Sequence, residues 1–330
     1  MIANDLFNIC VVGCGQIGSR YLQGINKVNL NIEIEAIDPN PDSITIAKKR
    51  YFEISNKNYK HKIVFSKKLP KINKLIDLLI ISTGSNKRKE IIEDILKKRN
   101  VKNIIIEKVS FQSISDYESI LLLIEKKKIN CWINLSYRTH QSYINYKKLL
   151  SRNNKINMKV TGNNWGLACN SIHFFDLFEF LTDKKIKDWD NTKIDNNIQK
   201  SKRLNYIEFT GKIFLNTNRG DQLTLISSKK SDLPFEISIS NKSIEIIIYE
   251  NIKKSFIKKY ENNWLKNQIE HFAPNHSDNI IHIIISILKN QKCNLPSLKT
   301  ALNSNKILLS IFTDKIFQIT GEKVDKCNIT

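Results

Sequence analysis

The chain has 330 residues, 41% of them hydrophobic, so it is long enough for two domains and too apolar for extensive disorder. Its 53 basic and 32 acidic residues give a formal net charge of +21. The lysines are spread along the chain, and no basic segment alternates with aromatic residues as a nucleic-acid groove requires. We therefore expect no nucleic-acid partner, and an acidic or phosphorylated small substrate instead.

The cysteines and histidines indicate neither a metal site nor an oxidising compartment. The six cysteines form no C-x-x-C pair, and no histidine belongs to a metal-ligand pattern. The N-terminus has no cationic segment before its short apolar run, and the longest apolar runs, such as Ile283–Leu288, are too short to span a bilayer. These features predict a cytoplasmic protein with no signal peptide, no membrane association and no metal.

Strand and helix patterns alternate over the first part of the chain. A strand at Ile9–Val12, a helix at Ser19–Lys27 and a strand at Ile32–Ile37 are followed by further pairs as far as a strand at Asn130–Leu135. The nearly continuous apolar run at Leu75–Ser82 is typical of a parallel strand buried on both faces. Residues 1–136 are therefore predicted to form a Rossmann domain with a doubly wound parallel sheet.

The pattern changes after residue 136. Helices are predicted at Tyr143–Leu150 and Ile172–Leu181, and several strands follow between residues 206 and 258, the first at Tyr206–Leu215. Two helical segments close the chain, Trp264–Leu288, broken near Pro274, and Leu298–Thr320. Residues 137–330 are therefore predicted to form an α+β domain with an open, mainly antiparallel sheet, which makes the whole chain α/β in class.

A glycine-rich turn follows the first strand. Gly13, Gly15 and Gly18 form a G-x-G-x-x-G pattern between a strand and a helix, and a second strand ends in Asp38, twenty residues after Gly18. In such a unit the glycines permit a tight turn, close approach of a pyrophosphate and close packing of the helix, while the acid accepts from a ribose diol. The alternative is a glycine-rich turn in some other α/β protein.

Polar residues also follow three later strands. Ser82 and Thr83 follow the fourth strand, Glu107 and Lys108 end the fifth, and Arg138 lies just after the sixth. Ligands of open parallel sheets bind beyond the carboxyl ends of the strands, so these residues are candidates for the site. A lysine at such an end can act as a base or bind a hydroxyl, although a surface ion pair with Glu107 explains the same spacing.

A second candidate segment leads into a helix near residue 170. Trp165 lies in a loop of small and polar residues, and Asn170 and His173 share one face of the helix that follows. A histidine near a helix start can act as a general acid or base. The alternative is a capped, buried histidine with a structural role.

Together these residues resemble the glucose–fructose oxidoreductase/inositol dehydrogenase (Gfo/Idh/MocA) family. The resemblance rests on VVGCGQIGSR, Asp38, the STGS turn, the Glu107–Lys108 pair and WGLACNSIHFFD, and runs in order from about residue 7 to 320. It implies a Rossmann domain, an α+β domain whose open sheet makes a homodimer or homotetramer, and oxidation or reduction of a sugar or polyol hydroxyl with NAD or NADP. Lys108 and His173 match the catalytic lysine and histidine of the family.

Three positions depart from the family pattern. Val109 replaces the proline of Glu-Lys-Pro, and Cys169 stands four residues before the histidine, where the family has an aspartate. Gly84 and Arg88 replace a proline and a histidine after the fourth strand. The departures resemble a divergent branch associated with surface-sugar and nonulosonic-acid biosynthesis, and the missing aspartate leaves the proton relay open.

We therefore expect an NAD-dependent oxidoreductase, with NAD preferred to NADP, acting on a hydroxyl or keto group of a sugar derivative. A dinucleotide-binding scaffold or regulator, and a lyase or hydrolase that uses tightly bound NAD for transient oxidation, remain as alternatives. The expected catalytic residues are Lys108 and His173. The expected cofactor-binding residues are Gly13, Gly15, Gln16, Ile17, Gly18, Asp38, Ser82, Thr83, Glu107 and Lys108. The expected substrate-binding residues are Arg88, Arg138, Trp165, Asn170 and His173.

Overall fold

The computed structural model describes residues 5–54, 61–69, 74–150, 154–229 and 232–330, which form two compact units. The first unit comprises Met1–Phe111, Ser115–Asn134 and Pro274–Thr300. The second comprises Gln112–Ile114, Leu135–Ala273 and Ala301–Thr330. Among these described residues, every helix is too short or too polar to cross a membrane.

The helices and strands alternate in the first unit and are grouped in the second. The helices are α1 (Gln16–Ile25), α2 (Pro41–Phe52), α3 (Arg88–Lys98), α4 (Ile114–Lys126), α5 (Gln141–Leu149), α6 (Leu167–Thr182), α7 (His276–Asn290) and α8 (Leu302–Thr320). The strands of the first unit are β1 (Leu6–Val12), β2 (Asn31–Ile37), β3 (Lys62–Ser66), β4 (Leu78–Ile81), β5 (Asn103–Ile106) and β6 (Asn130–Ile133). Those of the second are β7 (Asn157–Asn163), β8 (Ile186–Asp190), β9 (Gln199–Lys200), β10 (Ile207–Glu208), β11 (Gly211–Thr217), β12 (Gln222–Ser228), β13 (Glu236–Ser240), β14 (Ile244–Tyr249), β15 (Lys254–Lys259) and β16 (Asn267–Glu270).

The first unit is built on a six-stranded parallel sheet with the order β3-β2-β1-β4-β5-β6. All residues of β4 and β5 are buried, because helices cover both faces of such a sheet. The chain order reverses between β1 and β4, which is the place where open α/β sheets leave a crevice for ligands. The predicted doubly wound Rossmann sheet is confirmed.

Helix α7 packs in the first unit, although the sequence analysis assigned residues 137–330 to the second domain. Ile280, Ile284 and Ile287 of α7 join the same buried apolar cluster as Leu22 and Ile25 of α1. The two helices approach closely at Gly24, where an added Cβ would lie 2.4 Å from Cγ2 of Ile280 and 2.5 Å from the Ser277 carbonyl oxygen. Burial of the apolar face of α7 therefore stabilises the packing of Pro274–Thr300 in the first unit, although this segment lies far along the chain from α1.

The second unit is built on an eight-stranded sheet with the order β16-β15-β14-β13-β7-β12-β11-β8. Only β7 and β12 are parallel among its described pairs, so the predicted open, mainly antiparallel sheet is confirmed. Along β11 to β14 buried residues alternate with partly exposed ones, which places one face of the sheet on the core. Helices α6 and α8 also belong to this unit.

Three predictions of local structure were wrong in this unit. The segment Trp264–Leu288 is not helical before His276, because Asn267–Glu270 pairs antiparallel with β15. The strand predicted at Tyr206–Leu215 is divided at Phe209 and Thr210, which lie between β10 and β11, and β11 begins at Gly211 with a φ of +114° that suits glycine. Helix α8 begins at Leu302 rather than Leu298.

Strand β7, at the centre of this sheet, was missed. Its alternating buried residues Met158, Val160 and Gly162 are the signal that could have found it.

We predict that Gly24→Ala lowers the free energy of unfolding by about 1–3 kcal/mol, because the methyl group has no room beside the Ser277 carbonyl. Urea unfolding followed by circular dichroism measures the change. Gln23→Ala is the matched control on the same helix, with an expected change within about 0.5 kcal/mol. Equal stability of Gly24→Ala and the native protein would contradict the close packing of α1 on α7.

Candidate functional site

The glycine-rich turn between β1 and α1 is fixed by backbone contacts. Gly13 has a φ of +92°, and its N–H donates to the Ile37 carbonyl oxygen at 2.8 Å. A Cβ at Gly18 would lie 1.7 Å from the Gly13 carbonyl oxygen, so only glycine fits there. At Gly15, by contrast, a Cβ would meet nothing within 4 Å. Gly15 therefore borders open space at the start of α1, where free N–H groups attract anions.

The start of α1 is linked to the guanidinium of Arg50 in α2. Gln16 and Ile17 are the first two residues of α1, so their N–H groups belong to the unpaired first turn. The Arg50 guanidinium donates to Oε1 of Gln16 at 2.8 Å and to Oγ of Ser19 at 2.6 Å. This side chain of α2 therefore adds positive charge beside the same turn.

Asp38 follows β2 and lies opposite the glycine turn. Its Oδ2 accepts from the N–H of Cys14 at 2.7 Å, and its Oδ1 accepts from the N–H of Asn40 at 2.8 Å. Only 8% of the residue is exposed. Each carboxylate oxygen has more than one acceptor position, so the side chain can still accept from a ribose hydroxyl.

A cavity of about 610 Å³ lies beside this turn, within the size range of cofactor pockets. Gly13, Gly15 and Asp38 line one side, and Ser82 and Thr83 line another. The remaining lining residues are Val12, Ile37, Pro39, Lys67, Lys68, Leu69, Gly84, Lys87, Glu90, Ile91, Asp94 and Ile95. The open approach at Gly15, the helix start and the buried acid fit the pyrophosphate and ribose of a dinucleotide.

The segment after β4 is tied to both the turn and the next strand. Oγ of Ser82 donates to the Gly13 carbonyl oxygen at 2.7 Å. The Thr83 carbonyl oxygen accepts from Nε and Nη2 of Arg88 at 3.0 and 2.7 Å. The same guanidinium also donates to the carbonyl oxygens of Glu107 and Val109. Arg88 thus joins the ends of β4 and β5.

Arg88, predicted to bind the substrate, is only 1% exposed, and its described donors bind backbone carbonyls of the first unit. A buried guanidinium needs several acceptors, and the backbone carbonyls at the two strand ends supply them. The Arg88 guanidinium therefore binds carbonyl oxygens within the first unit and fixes the loop that carries Lys108. The sequence did not reveal this role, because the acceptors are backbone atoms.

Glu107 is the centre of a buried polar cluster in the first unit. Its Oε1 accepts from the Tyr21 hydroxyl and from Nδ2 of Asn134, each at 2.6 Å, and lies 3.7 Å from Nε2 of His276. Burial raises the pKa of Glu107, but His276, Tyr21 and Asn134 outweigh it and hold that pKa at about 2. Glu107 is 6% exposed, and its described side-chain contacts are with other residues of the first unit. These contacts hold the end of β5 in place.

Lys108 lies between two buried residues and is itself partly exposed. Glu107 is held by its side-chain cluster, and the Val109 carbonyl oxygen is held by Arg88. The Lys108–Val109 peptide bond is cis. Because its two neighbours are held by these hydrogen bonds, Lys108 lies on a fixed backbone at the carboxyl end of β5, in the sheet that carries the glycine turn.

In the second unit, Asn170 and His173 lie on the accessible side of α6. Cys169, Asn170 and His173 are partly exposed, while most of the helix is buried. Nδ2 of Asn170 donates to the Trp165 carbonyl oxygen at 2.7 Å, and the Trp165 indole N–H donates to the Ile226 carbonyl oxygen at 2.8 Å. The loop before α6 is therefore fixed to β12 and to the helix it precedes.

Arg138 forms a two-point ion pair with a buried carboxylate. Its Nε and Nη2 donate to Oδ2 and Oδ1 of Asp176 at 2.7 and 2.6 Å. Burial raises the pKa of Asp176 to about 6, and the Arg138 guanidinium opposes this rise. Two of the donor groups of Arg138 are thus bound to Asp176, which lies about one helical turn after His173 in α6.

A cluster of aromatic and polar side chains near His173 was not foreseen. The His173 ring lies 5.4 Å from the Tyr137 ring, which also contacts His140 and Tyr143. The Tyr143 hydroxyl donates to Glu250 at 2.5 Å. Burial lowers the pKa of His140 to about 4, so it is neutral near pH 7. The helical spacing of His140 and Tyr143 was the only local signal for this cluster.

No group of three or more histidine, cysteine, aspartate or glutamate residues in the described segments has the arrangement of a metal site. Lys108 belongs to the first unit and His173 to the second.

Comparison with known proteins gives a match in the first unit. Residues 7–135 match the model of the oxidoreductase family with an NAD-binding Rossmann fold, Gfo/Idh/MocA. No curated protein matches the chain.

Solved structures resemble the chain along nearly its whole length. An oxidoreductase from Agrobacterium radiobacter in complex with NAD⁺, L-tartaric acid and magnesium has a TM-score of 0.69 at 14% identity, with 97% of this chain and 98% of that one covered. UDP-N-acetylglucosamine 3-dehydrogenase from Acidithiobacillus ferrooxidans has a TM-score of 0.67 at 10% identity, covering 93% and 97%. A super-repressor mutant of Gal80p from Saccharomyces cerevisiae has a TM-score of 0.71 at 13% identity, covering 95% and 97%.

At these identities the structural matches establish the fold. The matched family model describes an NAD-binding Rossmann fold over residues 7–135. Over residues 7–135, the chain is thus similar to the Gfo/Idh/MocA oxidoreductase family.

Proposed function

We propose that the protein is an NAD(P)-dependent oxidoreductase that acts on a hydroxyl or keto group of a sugar or sugar derivative. One observation carries the proposal: the open approach at Gly15 lies beside the buried acid Asp38 in a cavity of about 610 Å³. Lys108, partly exposed at the end of β5 in the same sheet, supplies a proton-transfer group.

The bound nicotinamide would supply the hydride acceptor or donor. Gly13, Gly15 and the first N–H groups of α1 would hold the pyrophosphate, and Asp38 would accept from the ribose hydroxyls. Lys108 or His173 would exchange the proton of the reacting hydroxyl.

Asn170 and Trp165 would orient the substrate beside His173. The partly exposed side of α6 supports this assignment, since it offers an amide and an imidazole at helical spacing. Arg138, held in place by its ion pair with Asp176, would bind an acidic or phosphorylated substrate through its remaining donor group, Nη1.

The sugar class is supported by similarity to UDP-N-acetylglucosamine 3-dehydrogenase and by the resemblance of the motifs. We place the enzyme in surface-polysaccharide or nonulosonic-acid biosynthesis as part of the same proposal. A cytoplasmic homodimer or homotetramer, assembled through the sheet of the second unit, completes it.

A second candidate is a dinucleotide-binding regulator without turnover. It is favoured by the similarity to the Gal80p super-repressor mutant and by the cysteine at position 169. Such a protein would bind NAD(H) but would produce no absorbance change at 340 nm with any sugar.

The two glycines of the turn should respond differently to substitution. We predict that Gly15→Val abolishes dinucleotide binding and leaves thermal stability nearly unchanged, because its side chain enters only the open space. Gly18→Val should lower stability as well, because its Cβ collides with the Gly13 carbonyl oxygen. NADH fluorescence titration and thermal unfolding measure both effects. Native NADH affinity in Gly15→Val would place the cofactor elsewhere.

Asp38 should select NADH over NADPH. We predict about tenfold tighter binding of NADH, or roughly 1.4 kcal/mol, because the carboxylate repels a 2′-phosphate. Asp38→Asn keeps the side-chain shape and should reduce this preference. Lys67 and Lys68 line the same cavity and would attract a 2′-phosphate. The NADPH affinity of Asp38→Asn therefore also measures their contribution once the repelling carboxylate is removed. Tighter binding of NADPH by the native protein would refute the preference.

Lys108→Met and His173→Ala should each reduce turnover by about 10²–10⁴-fold, the scale of a general acid–base group, with little change in NADH affinity. The substrate is first found by thermal shift on a panel of sugars, nucleotide sugars and nonulosonic acids with NAD⁺ present. Exposed Lys97 and His282 provide the controls Lys97→Met and His282→Ala, which should keep native turnover. Full activity of both site variants would overturn the assignment.

A further inference from the structure

A carboxylate from a distant part of the chain lies at the start of α6. Glu208, in β10, accepts through Oε1 from the N–H of Ala168, and its Oε2 lies 3.4 Å from the N–H of Cys169. The N-cap residue of the helix is Gly166, which has a φ of +84° and no side chain to cap it. Glu208 therefore caps this helix from about 40 residues away in sequence.

The side chains around Gly166 converge in a small volume. A Cβ at Gly166 would lie 2.9 Å from Oε2 of Glu208, 2.9 Å from Sγ of Cys169 and 3.0 Å from Nδ2 of Asn170. The Cys169 side chain hydrogen-bonds to the Glu208 carboxylate and lies 3.7 Å from the Gly166 carbonyl oxygen. The carboxylate, the thiol and the Asn170 amide thus form one contact group.

Glu208 is 7% exposed, and burial raises its pKa, although its bonds to Cys169 and to the N–H groups of Ala168, Cys169 and Phe209 oppose this rise. A second acidic side chain at position 169 would place two like charges in contact in a buried site, which is unfavourable. The geometry thus accounts for a neutral residue at position 169, where the family resemblance implies an aspartate.

We propose that Glu208 is a positioning residue that supplies the negative charge at the start of α6, keeps the Cys169 thiol neutral, and fixes Asn170 and His173. Its effect on catalysis rests on the function proposed above. Its effects on the helix start and on the thiol do not depend on that function. The carboxylate of this site thus comes from β10, and position 169 in α6 supplies only a thiol.

The first experiment uses the reactivity of Cys169 and needs no substrate. A thiol at a helix start is normally activated by the helix dipole, and an adjacent carboxylate opposes this activation. Among the six cysteines, Cys10, Cys14, Cys131 and Cys327 are buried, so the full chain carrying Cys293→Ser leaves Cys169 as the accessible thiol. Iodoacetamide alkylation at pH 7 should be about tenfold faster when Glu208→Gln is added.

Asp221→Asn is the matched control, because Asp221 is also a buried carboxylate of the second unit and accepts from the N–H of Ile156 at 2.9 Å. It should destabilise the protein without changing the alkylation rate at Cys169. An unchanged rate in Glu208→Gln, or an equal increase in Asp221→Asn, would overturn the proposal.

The second experiment is a double-mutant cycle on melting temperature and turnover. Cys169→Asp alone should lower both, since it adds a carboxylate beside Glu208. Cys169→Asp combined with Glu208→Gln should recover at least half of each loss, because a single charge is restored. Additive losses would overturn the proposal. If the alkylation and melting results are as expected and the native protein turns over no sugar, only the proposed function fails.

Discussion

The close approach of α1 to the glycine turn is the contact on which the first unit depends. Gly18 lies so near the Gly13 carbonyl that no Cβ fits between them. The same turn is fixed by Ser82 from β4 and by Asp38 from β2, so three strand ends meet at one place. These contacts use backbone atoms and the side chains of Ser82 and Asp38, and they leave the space at Gly15 open for a ligand.

Buried charges fix the end of β5 from two directions. Arg88 holds the backbone carbonyls on either side of Lys108, and Glu107 is held by Tyr21 and Asn134. A buried charge is tolerated only when hydrogen bonds replace its lost hydration. These two residues meet that condition, and their contacts leave Lys108 as the partly exposed cation of the loop.

Helix α6 is fixed in a comparable way in the second unit. Glu208 caps its first turn, and Asp176 pairs with Arg138 further along. Glu208 and Arg138 both come from other segments of the chain. The position of the accessible side with Asn170 and His173 therefore depends on tertiary contacts at the start and in the middle of α6. The helix sequence itself supplies the apolar residues that bury the remainder.

The sequence by itself determined the parallel sheet, the glycine turn and Asp38, because their signals are local: apolar strands, fixed glycine spacing and a short distance to the acid. Only the tertiary structure decided the role of Arg88, whose partners are backbone carbonyls, and that of Glu208, whose partners lie about 40 residues away. It also decided that Asn267–Glu270 is a strand, since pairing with β15 outweighs local helical preference. Propensity and spacing act over a few residues, whereas burial and hydrogen bonding join segments that the sequence separates.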